Sequence, residues 1–228
     1  MSNPIHIFTR HNNGSIHRKK EVRPSWFSFQ KCFDSLLVDT ADITVCLDGN
    51  LDSHHVDFRG KEVIEFTGGS DAASFAFLLK TVQEKSLPDN TIVYIVEDDY
   101  LHRPNWDTIM VEAFETFDVD HVTLYDHPDK YFLPMYNGLQ SKILHSKSVH
   151  WRTTPSTCST YAARMGTLKK YWEIHEKYSR PEITHDGYDH TKFIELWNVG
   201  SNLVSPIPGY STHCEMPFVS PLFPWETL

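Results

Sequence analysis

The sequence predicts an α/β fold, a mostly parallel sheet with helices on both faces, and three observations lead there. Short apolar, β-branched runs recur through residues 1–120, and each stops at a small or polar loop. Between them lie stretches with apolar residues at three- and four-residue steps, the spacing of a helix with one buried face. Strands that alternate with helices need crossovers, which carry the helices over both faces and leave neighbouring strands parallel.

Ile5-His6-Ile7-Phe8-Thr9-Arg10 is a strand that ends in the polar cluster His11-Asn12-Asn13-Gly14. A helix is expected over 24–37, where Trp26, Phe29, Phe33, Leu36 and Leu37 recur at helical steps. The second strand, 43–47, is stopped by Asp48-Gly49-Asn50, and the third, 63–66, by Thr67-Gly68-Gly69. Ala72, Phe75, Phe77, Leu78, Leu79 and Val82 predict a helix over 71–85. Ile92-Val93-Tyr94-Ile95-Val96 is the most apolar strand of the chain. Beyond Asp120 the order changes: a strand over 122–125, a loop-rich stretch with aromatics and histidines, a helix over 165–177 and a proline-rich tail. The expected organisation is one domain over 1–228, with a half 1–120 that binds the first substrate and a half 121–228, packed on it, that binds the second.

Charge and cysteine usage narrow the function. A net charge of -9 argues against a nucleic-acid backbone as partner, since that binding runs on clustered Lys and Arg displacing counterions. Cys32, Cys46, Cys158 and Cys214 are far apart with no CxxC pair, so neither a zinc ribbon nor a disulfide framework is indicated, and a reducing compartment fits. No apolar run approaches the ~20 residues of a membrane span, and the N-terminus lacks a basic-then-apolar leader pattern. The expectation is a soluble cytoplasmic protein, or one peripheral at the membrane.

The chemistry concentrates at Glu97-Asp98-Asp99, directly after the most apolar strand. In a doubly wound sheet, ligands bind outside the carboxyl ends of the strands. Adjacent carboxylates there repel unless a cation joins them, and hard oxygen donors suit Mg²⁺ or Mn²⁺, which can neutralise a diphosphate. The bland alternative is a solvated acidic turn.

The segment IVYIVEDDYLHRPNW resembles the DXD-bearing segment of GT-A glycosyltransferases, in particular family-2-like members. The resemblance implies a GT-A, Rossmann-like sheet with Glu97 and Asp98 near the ribose and metal and Asp99 as metal ligand. Its departure is a glutamate at the first acidic position. IHIFTRHN resembles the family's first strand, so Thr9 and Arg10 are expected to face base and diphosphate. ITVCLDGN resembles its second strand, which implies that Asp48 meets base or ribose; an Asp-Gly turn is the alternative reading. TGGSDAASFAFLL resembles the glycine-rich loop and helix that place Gly68, Gly69 and Ser70 near the nucleotide.

Two later constellations extend the resemblance. In inverting members a carboxylate at the start of a late helix deprotonates the acceptor, which implies Asp186 in Thr184-His185-Asp186-Gly187-Tyr188-Asp189-His190, with Asp189 as runner-up and a helix N-cap as its alternative role. SPIPGYSTH resembles the segment that returns a histidine to the metal, here His213, one of 14 histidines. Among the basic residues near the first loop, Arg10, Arg18, Lys19, Lys20 and Arg23, one or two are expected at the diphosphate and Lys19 and Lys20 in solvent. Trp151, Arg152, Tyr161 and Arg164 read equally as acceptor contacts or core.

The resemblance therefore implies a metal-dependent glycosyltransferase using Mn²⁺ or Mg²⁺. It would move sugar from a UDP- or GDP-sugar to a saccharide, lipid-linked or protein acceptor, as in polysaccharide biosynthesis. The rivals are a nucleotidyltransferase, whose first loop usually carries more glycine and Lys or Arg than Thr9 to Gly14 does, and a non-catalytic nucleotide- or sugar-binding module. A metal-dependent hydrolase is disfavoured because no convincing HxH or HxxxD ligand set stands near a strand end.

Overall fold

Alternate residues of the first strand point to opposite sides, and both sides are apolar. In β1 (Ile5–Asn12), Ile5 and Ile7 face one core and Phe8 the other; in β4 (Ile92–Glu97), Ile92, Tyr94 and Val96 share the first core while Val93 and Ile95 share the second. Strands buried on both faces must be sandwiched between helix layers, as the sequence pattern predicts. The computed structural model describes residues 5–13, 22–180 and 188–228.

β2 (Ala41–Asp48), β3 (Glu62–Phe66), β1 and β4 form a parallel block in the order β3-β2-β1-β4. The sheet continues through β9 (Tyr161–Arg164), β6 (His121–Val122), β10 (Leu203–Ile207), β8 (His150–Thr153) and β7 (Ile143–His145). β9 pairs antiparallel with both β4 and β6, β6 and β10 are parallel, and β8 is antiparallel to β10 and β7. All strands but β9 and β8 thus run one way. Strand β9 from the second half lies between β4 and β6, so the two halves share one sheet.

The first core is closed by α1 (Phe29–Ser35), through Phe33, and α3 (Trp106–Thr116), through Trp106, Ile109, Met110, Ala113 and Phe114. On the other face lie α2 (Asp71–Glu84), with Phe75, Leu78, Leu79 and Val82, then α5 (Met165–Lys170) and α7 (Asp189–Asn198). Each fully buried Val, Leu, Ile or Phe side chain contributes about 1.5–3 kcal/mol, and this is the main term holding the layers together. Among the described residues no helix is long and apolar enough to cross a membrane.

Three expected elements differ. The helix over 24–37 is α1, which begins only at Phe29: Phe27 N donates to Pro24 O in a turn, and Ser28 Oγ accepts from Lys31 N at 3.0 Å as the N-cap. Trp26 and Phe27 pack instead with Leu101, Cys214 and Trp225 under the C-terminal segment. The helix over 165–177 breaks at Tyr171, whose φ of -110° and ψ of 18° separate α5 from α6 (Trp172–Lys177). The strand over 122–125 shrinks to β6, because Leu124 O is taken by the N–H groups of Tyr210 and Ser211 rather than by β10. All four cysteines are free thiols, and folding brings Cys32 Sγ to 3.8 Å from Cys214 Sγ.

Candidate active site at the carboxyl ends of β1 and β4

Arg10 and Glu97 are direct neighbours in the β1–β4 register. Glu97 Oε1 accepts from Arg10 Nη2 at 2.5 Å, and Asp71, at the start of α2, takes Nη1 with Oδ1 at 2.6 Å and its own carbonyl at 3.0 Å. Burial opposes the cation, but Asp71 and Glu97 outweigh it and raise the Arg10 pKa. For Glu97, burial dominates and, with Asp99, Asp71 and Asp189 adding repulsion against the pull of Arg10, pushes the carboxyl up to about 7. Arg10 thus spends its guanidinium on two carboxylates and gathers β1, β4 and α2 at one point.

Asp98 and Asp99 form the turn after β4, and both are buried. The chain then enters β5 (Tyr100–His102), which pairs antiparallel with β11 (Ser211–His213) and sets His213 opposite Tyr100. The His213 ring stacks on Tyr100 at a centroid distance of 5.1 Å, and Cys214 N donates to Asp99 O at 2.9 Å. His213 Nε2 consequently lies 3.1 Å from Asp99 Oδ2 and 3.6 Å from Glu215 Oε2. Arg23 Nη2 is 3.0 Å from the same Asp99 oxygen, while its Nη1 donates to Cys214 O. Burial acts against the imidazolium, yet Asp99, then Glu97 and Glu215, raise its pKa to about 9.

This donor set suits a divalent cation. An imidazole nitrogen and a carboxylate oxygen 3.1 Å apart are spaced as two ligands of one ion, and one N and one hard O donor are within the range that Mn²⁺ accepts. The Arg23 guanidinium and the His213 ring meet the same Asp99 oxygen, so an ion there would have to displace them. Among the described residues no group of three or more His, Cys, Asp or Glu is placed to hold a metal ion, so the protein would supply two ligands at this point.

The glycine-rich loop is built from β2. The two carboxylate oxygens of Asp48 accept from Gly68 N at 2.9 Å and Gly69 N at 3.1 Å, so this acid shapes the loop and its side chain is spent on the backbone. A Cβ on Gly68 would lie 2.8 Å from the Phe66 ring and 2.9 Å from Asp48 Oδ2, and Gly69 sits at φ +76°, which explains the pair. Ser70 is the N-cap of α2, its Oγ accepting from Ala73 N at 3.1 Å. Thr9 is wholly buried in β1, and its Oγ1 has no hydrogen-bond partner among the described residues.

From the far side, α7 begins with Asp189, preceded by Tyr188 as N-cap, so Asp189 is a first-turn residue and not the cap. Its Oδ1 accepts from Ser159 Oγ at 2.7 Å and from the fully buried Lys192 Nζ at 2.8 Å, and its charge acts on both Arg10 and Glu97. Asp186 lies outside the described residues, as do Arg18, Lys19 and Lys20. Of the four expected acceptor or core residues, Trp151 and Tyr161 are core; Arg152 is buried against Asp126 at 2.6 Å; and Arg164 donates to the carbonyls of Asn90 and Phe114.

Sequence reasoning missed Asp71, Tyr100, Ser159, Lys192 and Glu215. Their only advance signal was position: Tyr100 comes directly after the acidic triplet, and Glu215 stands two residues after His213. Ser159 and Lys192 are brought to Asp189 by the chain fold and carry no local pattern.

A scan against models of protein families finds no match, nor does a search among curated proteins. Solved structures do resemble the chain. A CMP:2-keto-3-deoxy-manno-octonic acid synthetase complexed with CTP superposes with a TM-score of 0.50 at 15% identity, covering 91% of this chain and 92% of that one. Residues 1–349 of S. aureus TarS give 0.52 at 14% identity, covering 89% of this chain and 57% of that one. A longer TarS structure gives 0.53 at 12% identity, and the chain spans 35% of it. At these identities the likeness is one of fold alone: a mixed α/β, GT-A-like fold with a mostly parallel central sheet.

Proposed function

We propose that this chain is a nucleotide-sugar-dependent glycosyltransferase whose donor site is formed by Arg10, the Asp48–Gly69 loop and Glu97 to Asp99. The observation that carries the reading is the pairing of His213 with Asp99. A histidine from the last strand, 114 positions away, closes on the last acid of the triplet, which puts an imidazole and a carboxylate at one point of the strand end.

Asp99 and His213 would hold Mn²⁺ or Mg²⁺. The ion, when bound, supplies positive charge against the leaving diphosphate. The remaining work falls to side chains. Arg10 fixes Glu97 and the first turn of α2, so the acidic end of β4 and the glycine loop keep one spacing and the donor meets a preorganised site. A carboxylate on the far side takes the proton of the acceptor hydroxyl while its oxygen attacks the anomeric carbon and the nucleoside diphosphate departs, a single displacement that inverts configuration. Asp186 is the base by resemblance. Asp189 is the runner-up: Ser159 and Lys192 both bond its Oδ1 and fix the carboxylate at the start of α7.

Calorimetric titration with UDP, GDP, CTP and their sugar conjugates, with and without Mn²⁺, tests this on the wild type, Asp99→Asn and His213→Ala. The expected result is metal-dependent binding of a nucleoside diphosphate, weakened by both substitutions. Absence of binding to every nucleotide sinks the reading. A second reading, nucleotidyl transfer, is favoured by the fold shared with the CTP-bound synthetase. It predicts preferential binding of a nucleoside triphosphate and release of pyrophosphate when a sugar acid is added.

A further inference from the structure

We propose that His145 and His150 form a surface binding site for a borderline transition-metal ion, Zn²⁺, Ni²⁺ or Cu²⁺, on the hairpin at the edge of the sheet. The two histidines are directly opposite in the β7–β8 register, and β7 is the terminal strand. Ser146 N donates to Val149 O, so the His145–His150 pair is the adjacent, non-hydrogen-bonded position, where opposed side chains come closest in an antiparallel ladder. Their ring centroids are 4.4 Å apart, and neither ring has a hydrogen-bond or ion-pair partner among the described residues. Both side chains are exposed, so each is free to turn one nitrogen toward a common ion.

The backbone beneath them is held. The next residue, Trp151, is fully buried in the first core and donates its indole N–H to Ser146 Oγ at 2.9 Å. At the tip, Ser148 gives both its N–H and its hydroxyl to Glu112 of α3 at 2.7 Å each. Two imidazoles fixed side by side lose little conformational freedom on chelation, which is the condition for useful affinity from only two protein ligands; water fills the other positions.

The pair sorts ions differently from Asp99 and His213. Two neutral nitrogen donors without a carboxylate follow the order Cu²⁺ above Ni²⁺ and Zn²⁺, with Mn²⁺ and Mg²⁺ far behind. Calorimetry of the full chain with ZnCl₂ and NiCl₂ in excess Mg²⁺ tests this on the wild type, His145→Asn and His150→Asn. The Cu²⁺ electron paramagnetic resonance spectrum, read on the same proteins, counts coordinated nitrogens. The expected result is a site whose dissociation constant rises about tenfold or more in either variant, since loss of an outer-shell partner alone commonly costs that much. The spectrum should fall from two imidazole nitrogens to one. Unchanged affinity and spectrum in both variants overturn the proposal, and so does a wild-type spectrum with fewer than two imidazole nitrogens, whatever the variants' folding.

Discussion

The parallel block β3-β2-β1-β4 and the mixed block β9-β6-β10-β8-β7 belong to one sheet but are held by different means. In the first, β1, β2 and β4 bury apolar side chains on both faces with β3 as a half-buried edge, and α1 and α2 are each capped by a serine. In the second, β6 has two residues, and its surroundings rest on long-range polar contacts. Asp126 is wholly buried on Arg152, Tyr125 Oη donates to Phe218 O, and Ser220 Oγ donates to Asp126 O at 2.9 Å. No helix beyond residue 120 has a side-chain N-cap among the described residues. Where the sheet is apolar and regular, local pattern suffices; in the mixed block, specific polar pairs hold irregular backbone in place.

The strongest way to break this comparison is to remove one buried cation from each block. Arg152→Ala strands the wholly buried Asp126, at a cost of about 3–5 kcal/mol, and Arg10→Ala leaves the half-buried Glu97 without its cation, at a cost of about 3 kcal/mol. Thermal unfolding should drop on the order of 10 °C for either, at the ~2–4 °C per kcal/mol usual for this size. Nucleotide binding should fall only for Arg10→Ala. Equal loss in Arg152→Ala means the division of labour between the blocks is wrong.

Next in size are two close approaches. Gly68→Ala in the first block places a Cβ 2.8 Å from Phe66, and Gly209→Ala in the second places one 3.0 Å from Ser220 Oγ and 3.1 Å from Asp126 N. Each should lower the urea midpoint by an amount equivalent to about 1–3 kcal/mol. A neutral Gly209→Ala shows that the polar corner of the mixed block yields, which the comparison denies.

Acid sensitivity sharpens the contrast further. Burial lowers the His102 and His121 pKa values to about 3 and drives His175 well below its ordinary value, with Lys192 adding to the shift on the last two. The fold keeps these rings neutral, whereas the unfolded chain protonates them near 6.5. Their contribution is complete above pH 6.5 and falls with pH below it, for His102 and His121 until about 3, at up to ~1.4 kcal/mol per pH unit for each histidine. Urea titrations at pH 7, 6 and 5 should show that slope, reduced by one histidine's share in His175→Asn; an unchanged slope refutes the assignment.

The smallest effect lies at the helix starts. Ser70→Ala should cost about 1 kcal/mol by chemical denaturation, because Ala73 N loses its cap. A cost near zero places the stability of α2 in its packed face alone.

The legibility of the molecule divides along the same line. The strands at Ile5, Ile43, Val63 and Ile92 and the helix at Asp71 could be read in advance because alternation, helical spacing and stop loops are properties of neighbouring residues. The acidic triplet was legible for the same reason: a strand carries the residues at its carboxyl end to the sheet edge. His213 was singled out through resemblance, while Asp71, Ser159, Lys192 and Glu215 joined the site only through the fold. The break at Tyr171 and the late start of α1 were hidden too, since local periodicity does not record which aromatic ring a distant segment will claim.

Chain-local chemistry therefore decided the layered α/β architecture, the parallel order of its first block and the strand end where the acids stand. Tertiary structure alone decided that β9 enters between β4 and β6, that Asp48 serves the glycine loop, that Arg10 is spent on Asp71 and Glu97, and that His213 reaches Asp99. Periodic burial is written in residues a few positions apart, whereas an ion pair between residues 87 or 114 positions apart exists only once the sheet has brought them together.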